Sequence, residues 1–171
     1  SILSRGCGPY DNIEVANIVE SAGAGFRCDT NEDGLLLSMK SSPEDVLKLL
    51  PILGWMVMNP HAKTNQIKLE RELSLQAIIR QKENPFHNAF DQWRQLAYKN
   101  GAYGHDPLGT SDDLLTIKKK DIIPLARSLH ERKIVLSLTG NFDDDLENKL
   151  QNIEPFNEFK INTVDNNIES R

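Results

Sequence analysis

The side chains best suited to bind a metal or to move a proton are four histidines, and none of them lies four residues from another. A zinc site of the HExxH or HxxEH kind needs two imidazoles on one helical face, and this chain offers no such pair. His87 and Asp91 do lie one turn apart. Two ligands are too few for zinc, however, and His87 borders an apolar stripe that we expect to be buried. The pattern favours a structural or surface role for His87.

A second group of polar residues falls in one Gly-rich segment, GHDPLGTSDD. It brings together His105, Asp106, Thr110, Ser111 and Asp112. Residues of these types also satisfy the backbone groups of loops and helix ends, so we interpret the segment as loop structure rather than as a site.

Two acidic groups complete the candidates. The run Asp143–Asp145 lacks the alternating spacing, central glycine and terminal glutamate of an EF-hand, so we expect it to complement the dipole of a helix start. Glu70 and Glu72 are typical of solvated helix charges unless a partner lies one or two turns further on. Seven residues beyond Glu70, on nearly the same face, the chain has Ala77. The chain also has no GxSxG, P-loop or GxGxxG motif, and we predict no catalytic, cofactor-binding or metal-binding residue.

The elements that position these residues follow from periodicity and capping. We predict a helix over 12–22, a β-hairpin with Phe26 and Cys28 on one strand, and a helix from Ser42 to about Val57. The later elements are a longer helix that contains LERELSLQAIIRQKENP, a helix after Pro85, a loop over 100–111, a helix over 121–130, a buried strand KIVLSLTG and a short acidic helix. The apolar stripe of the helix after Pro85 consists of Phe86, Ala89, Phe90, Trp93, Leu96 and Ala97.

This order is not a regular alternation of strand and helix. It favours an α+β fold in which helices pack on one face of a mixed, mainly antiparallel β-sheet. We expect residues 1–161 to form a single domain, truncated at its N-terminus. The polar, Asn-rich residues 162–171 resemble a linker or tail.

The composition of the 171-residue chain argues against some classes of binding partner and environment. Its net charge of -5 argues against nucleic acid, because the only clustered cations are Lys118–Lys120, which we interpret as a solvated face. Cys7 and Cys28 are too few for a disulfide scaffold, which favours a reducing compartment, the cytoplasm. No run of 18 apolar residues occurs, so we expect a soluble chain without a membrane span.

Five segments in order resemble the pitrilysin/insulinase-like metallopeptidases, the family that includes the mitochondrial processing peptidase subunits. The matching segments are IEVANIVESAGAGFRCDTNEDGLLLSMK, DVLKLLPILGWMVMNP, ERELSLQAIIRQKENP, AYGHDPLGTSDDLLTIKKKDI and KIVLSLTGNFDDD. They cover nearly the whole chain in the family's order, although the loop at 101–110 is shorter than is usual in the family.

The resemblance implies a zinc site of the HxxEH type, completed by a glutamate in a segment similar to EREVVLQEI. Aligned without gaps, ERELSLQAI has Ala77 at that glutamate and keeps Glu70 two turns before it. A methyl group cannot bind zinc, and a catalytic zinc needs three protein ligands and a water. The HxxEH motif is expected at or before Ser1, and if Ser1 occupies its second histidine position, that ligand is absent too.

From this resemblance we expect a non-catalytic domain of an insulinase-like or processing-peptidase-like protein, without a cofactor. Such a domain would help form a peptide-binding chamber with a second homologous domain or subunit, and would contact unfolded peptide. One alternative is a fragment of a zinc endopeptidase whose HxxEH ligands lie upstream, with Glu70 or Glu72 replacing the missing ligand. Another is a pure assembly module that binds a partner subunit but no peptide.

Overall fold

The computed structural model describes residues 1–99, 101–143 and 145–159, which form helices joined by short 3-10 turns and one β-hairpin. The elements in chain order are α1 (Asn12–Ser21), β1 (Gly25–Thr30), β2 (Leu35–Lys40), α2 (Val46–Met58), α3 (Thr64–Lys82), α4 (Pro85–Tyr98), α5 (Ser111–Thr116), α6 (Lys119–Arg127) and α7 (Leu146–Gln151). The α+β class predicted from the sequence is confirmed. Within the described ranges the sheet has two strands, both antiparallel.

The N-terminal helix and the hairpin follow the predicted local signals. Asp11 caps α1 by accepting hydrogen bonds from the backbone N–H groups of Ile13 and Glu14, and the Glu14 carboxylate accepts one from the Asp11 N–H. In the hairpin, Phe26 pairs with Met39 and Cys28 with Leu37. Because side chains alternate along a strand, these four share one face, and that face packs on the core.

Helix α2 lies at the centre of the molecule. Leu49, Ile52 and Met56 are buried with α1 and the hairpin, while Leu50 lies in a second cluster with Leu150 of α7. Apolar residues on more than one side of the helix are typical of burial between layers, and α2 contributes to both clusters. Helix α2 therefore joins the N-terminal and C-terminal parts of the described chain.

Helix α4 has the predicted apolar stripe, but the expectation that the stripe is buried is wrong. Phe86 is 77% exposed, Trp93 is 52% exposed and Leu96 is 80% exposed. Periodicity identifies an apolar face, whereas burial depends on whether another element lies against it. No element of the described residues covers this face.

The strand predicted for KIVLSLTG is also wrong. Residues 133–140 have no strand structure, and the side chains of Ile134, Val135, Leu136 and Leu138 are between 36% and 79% exposed. A strand is stable only where a neighbouring edge completes its hydrogen bonds. The resolved hairpin does not pair with this segment.

Several boundaries differ slightly from those predicted. The helix expected from Ser42 begins with a 3-10 turn over Pro43–Asp45, and the helix expected to reach His130 ends at Arg127, before a separate turn over Leu129–Glu131. The predicted linker at 162–171, the end of the predicted domain and Asp144 lie outside the described residues. None of the described helices is long and apolar enough to cross a membrane.

Substitution of Leu49 by alanine tests the central role of α2. Leu49 is completely buried, so Leu49→Ala removes buried apolar surface and leaves a cavity. We expect the free energy of unfolding to fall by about 2–5 kcal/mol, measured by urea titration. The control is Leu36→Ala at a position that is 57% exposed, which should change stability by less than about 1 kcal/mol. Equal losses in the two variants would contradict the packing described here.

The two cysteines should differ in reactivity. Cys7 is fully buried, and burial raises the pKa of its thiol to about 12, whereas Cys28 is partly exposed. Because the thiolate is the reactive form, Cys7 should not react at pH 8 in the folded protein. We expect an aromatic disulfide reagent to titrate one thiol in the native chain and two in denaturant. The Cys28→Ser variant keeps only Cys7, and the Cys7→Ser variant keeps only Cys28. Equally rapid reaction of the two variants in the folded state would contradict this expectation.

Candidate functional site

An open groove of about 720 Å³ lies between α3, β1, the N-terminal turn and the segment around α5. Its walls consist of Ser1, Ile2, Cys28, Asp29, Thr30, Glu32, Ile67, Glu70, Arg71, Ser74, Gln81, Arg94, Asp106, Pro107, Leu108, Leu114, Ile117 and Ile122. The lining includes carboxylates, guanidinium groups and apolar side chains. Such a surface offers both hydrogen bonds and apolar contacts to an elongated ligand.

Glu70 lies on the groove side of α3 and is held by Arg5. The Arg5 Nε donates to Glu70 Oε1 at 2.8 Å. Burial alone would raise the pKa of the Glu70 carboxyl, but the positive groups that hydrogen-bond to it, Arg5 first among them, lower the pKa below its ordinary value. Glu70 is therefore a carboxylate already committed to an ion pair with Arg5.

Ala77 lies on the same stripe of α3, between Ser74 and Gln81, which both line the groove. Its side chain is partly buried. Glu72 is exposed and is absent from the lining of the groove. Neither neighbouring carboxylate thus replaces the one that Ala77 lacks, because Glu70 is paired and Glu72 lies on another side of the helix.

Strand β1 forms the wall opposite α3 through Cys28, Asp29 and Thr30. It pairs with β2 on one side only within the described ranges. Its other edge therefore keeps backbone N–H and C=O groups that can bind an extended chain.

Most of the other polar residues singled out from the sequence have structural roles. His61 Nε2 is 2.8 Å from the Gly8 carbonyl oxygen, which ties the segment before α3 to the N-terminal turn. Thr110 caps α5 by accepting a hydrogen bond from the Asp113 N–H, as its interpretation as loop structure predicted. Lys149 of α7 forms ion pairs with Asp143 at 3.1 Å and with Asp145 at 2.8 Å. His105, Ser111 and Asp112 do not line the groove.

Arg94 is a functional candidate that the sequence did not indicate. Its side chain is almost completely buried, with the guanidinium 5.0 Å from the centre of the Phe90 ring. It donates to the His105 carbonyl oxygen at 2.7 Å and pairs with Glu32 at 3.1 Å. The hairpin turn, α4 and the loop after it are thus joined at one end of the groove. An arginine on an amphipathic helix gives no sequence signal of such long-range contacts.

At the same end of the groove the structure brings Asp106 to His87 and Asp91. The His87 Nε2 and the Asp106 Oδ2 are 3.2 Å apart, and one ligand atom from each of the three residues lies within 4.8 Å of the others. The sequence indicated only the helical pair. The third residue comes from a loop 15 residues beyond Asp91, and neither periodicity nor a motif predicts that approach.

Comparisons with known proteins agree with this fold and with the order of its segments. The chain is 24% identical over 142 residues to the mitochondrial-processing peptidase subunit beta of Homo sapiens, covering 82% of this chain and 29% of that protein. It is 23% identical over 131 residues to an uncharacterized zinc protease of Rickettsia bellii (strain RML369-C), covering 76% of this chain and 32% of the relative. No family model matches the chain.

Among solved structures, the peptidase M16 inactive domain from Pseudomonas fluorescens superposes with a TM-score of 0.62 at 22% identity, covering 72% of this chain and 30% of that one. The resemblance predicted from the sequence is confirmed: the chain is similar to proteins of the pitrilysin/insulinase-like metallopeptidase type. It spans about a third of the length of the curated relatives that it matches.

The described residues do not fit the zinc site that this relationship implies. On α3 the position of the third ligand has the methyl group of Ala77, and the nearest carboxylate on the same stripe, Glu70, is paired with Arg5. A site without that negative ligand lacks the three protein groups that hold a catalytic zinc. The absence of metal ligands in this groove stays a prediction for the complete protein.

The Arg5–Glu70 ion pair should make the free energy of unfolding depend on pH in the acidic range. Because the pKa of Glu70 is lowered on folding, its contribution is complete above its unfolded value of 4.5 and is lost as the pH falls through the folded value. We expect Glu70→Gln to cost about 1 kcal/mol at pH 7, since Arg5 is partly exposed, and less at pH 3. Glu72→Gln, at an exposed position of the same helix, is the control. Unfolding by urea at both pH values measures the difference, and a cost that grows on acidification would contradict the assignment.

Proposed function

We propose that this chain is a non-catalytic domain of an insulinase-like or processing-peptidase-like protein. In this proposal it helps to form a peptide-binding chamber with a second homologous domain or subunit. The observation that carries the proposal is the groove face of α3, where Ala77 occupies the ligand position and Glu70 is held by Arg5. The fold and the groove are present, whereas the carboxylate that the family's chemistry needs is not.

The groove supports the peptide-binding part of the proposal. An extended peptide can add its backbone to the free edge of β1 and place alternate side chains toward α3. Asp29 and Glu32 on one wall are paired with Arg27 and Arg94, and Arg71 on the other donates to the Ile117 carbonyl oxygen, so these charged groups are already engaged within the chain. The ligand would therefore be selected mainly by its extended backbone rather than by one side chain.

The apolar face of α4 supports the assembly part. Phe86 and Phe90 stack with their ring centres 6.4 Å apart, and Phe90 and Trp93 are 5.3 Å apart. These rings are 40–77% exposed within the described structure. A contiguous aromatic surface of this kind is typical of a protein–protein interface. It favours a second homologous domain or subunit as the partner.

A peptide-binding assay with a matched pair of variants tests the proposal. Gln81 lines the groove, whereas Gln76 is an exposed residue on another side of the same helix. We expect Gln81→Trp to fill part of the groove and weaken the binding of a fluorescein-labelled, unstructured peptide at least about tenfold in an anisotropy assay. Gln76→Trp should bind like the unchanged chain. The same peptide should stay intact in both zinc-supplemented and chelator-treated samples, as followed by mass spectrometry.

The possible results distinguish a non-catalytic peptide-binding domain from a zinc endopeptidase and from a pure assembly module. Peptide hydrolysis that a chelator abolishes would overturn the non-catalytic proposal in favour of a zinc endopeptidase. Undetectable peptide binding, together with capture of a homologous domain that Phe86→Asp abolishes, would favour a pure assembly module. Equal peptide binding by the two tryptophan variants would show that the groove is not the binding site.

A further inference from the structure

The cluster of His87, Asp91 and Asp106 lies outside the zinc position that the family resemblance implies on α3. His87 and Asp91 project from one face of α4 at a spacing of one turn, and Asp106 reaches them from the loop after the helix. All three side chains are partly buried. The cluster therefore combines one imidazole and two carboxylates, all at intermediate burial, and Asp106 also lines the groove.

The spacing of the cluster suits a small divalent cation. With bonds of about 2.0–2.1 Å, adjacent ligand atoms in a tetrahedral site are about 3.3 Å apart. His87 Nε2 and Asp106 Oδ2 are already 3.2 Å apart, and all three ligand atoms lie within 4.8 Å of one another. Small side-chain rotations are enough to bring the atoms around one ion.

A polar atom without a partner points to the same conclusion. The Oδ1 of Asp91 is shielded from solvent and has no hydrogen-bond partner among the described residues. Leaving a carboxylate oxygen buried without a partner is unfavourable, and a bound cation would offset this cost. Asp91 is thus the member of the cluster whose surroundings are incomplete in the protein alone.

Asp91 and Asp106 have no lysine or arginine partner among the described residues. Arg94, one turn beyond Asp91 on α4, is engaged by Glu32 and by the His105 carbonyl oxygen.

Asp106 is also held in position by its neighbours. Its Oδ1 accepts a hydrogen bond of 2.7 Å from the Leu108 N–H, which leaves Oδ2 directed at His87. In metal sites, hydrogen bonds from neighbouring groups often fix the orientation of the ligand side chains. The hydrogen bond from Leu108 would orient Asp106 in this way.

We propose that His87, Asp91 and Asp106 bind a divalent cation of the zinc class. An imidazole nitrogen disfavours Ca²⁺ and Mg²⁺, which prefer oxygen ligands alone, whereas zinc accepts nitrogen and carboxylate oxygen together. Water would complete the coordination of three protein ligands. The bound ion would fasten the loop after α4 to the helix, at the end of the groove where Arg94 also joins the elements. This proposal is independent of the proposed function, because it involves none of the residues of α3.

Metal binding by the whole chain tests the proposal, with ZnCl₂ alone as the probe. We expect one zinc per chain in isothermal titration, and the metal content of dialysed protein should confirm this ratio. His87→Gln, Asp91→Asn and Asp106→Asn should each weaken binding at least about tenfold. The matched controls are His105→Gln and Asp112→Asn, which change exposed residues of the same types nearby and should leave affinity unchanged. Addition of zinc should raise the melting temperature of the unchanged chain and the controls but not of His87→Gln.

Replacement of zinc by Co²⁺ gives a second readout. Its visible absorption should show nitrogen and oxygen ligation in the unchanged chain, and the band should be absent in Asp91→Asn. No zinc binding by the unchanged chain, or equal binding by His87→Gln and His105→Gln, would overturn the proposal. If His87→Gln still bound zinc and hydrolysed peptide, the result would also contradict the proposed non-catalytic function. Loss of zinc binding in His87→Gln would leave the proposed function unaffected. Circular dichroism establishes that each variant is folded.

Discussion

The side chains of Leu49, Ile52 and Met56 leave water almost completely when α2 packs against α1 and the hairpin, and the groove depends on this burial. A two-stranded hairpin is only marginally stable by itself in water. The core face of β1 and β2 must therefore lie on a helix for β1 to keep its shape. Since β1 forms one wall of the groove, the apolar surface of α2 helps to position that wall, in part through Cys28, which packs on this core and also lines the groove.

The opposite wall is held in a different way. The fully buried residues of helix α3 are Ile67 and Ile78, and polar contacts also hold the helix in place. Arg5 binds Glu70, and the Arg71 side chain donates to the Ile117 carbonyl oxygen. An acidic residue on the groove side of this helix thus has a structural use. Its persistence beside Ala77 needs no catalytic explanation.

Sequence reasoning succeeded where the determining signals were local. The Asp11 and Glu14 side chains specify the start of α1 within four residues, and alternation specifies which face of the hairpin is apolar. It failed where the result depends on a distant neighbour. Residues 133–140 have the composition of a strand but no edge to pair with, and the stripe of α4 has helical spacing but no covering element. The periodicity of apolar residues is a property of a single helix or strand. Strand pairing and burial each require a second element that lies against the first.

The same distinction applies to the candidate sites. Position 77 became a candidate ligand position only when the segment ERELSLQAI was aligned with the family pattern. A single alanine in a helix does not by itself indicate a missing ligand. The approach of Asp106 to His87 depends on the path of the loop after α4, and Arg94 helps to fix that path through Glu32 and the His105 carbonyl oxygen. A pair of residues one turn apart was visible in the sequence. The third member required the fold.

An alanine at position 77 is compatible with a stable α3 for a physical reason. Position 77 is partly buried, and a carboxylate there without a cation would lose hydration and gain no partner. Alanine has the highest intrinsic helix propensity and contains no polar atom. The contacts that place α3, through Ile67, Ile78 and Glu70, do not involve residue 77. In a domain that binds no metal in the groove, as proposed above, alanine would therefore suit the helix better than an unpaired carboxylate.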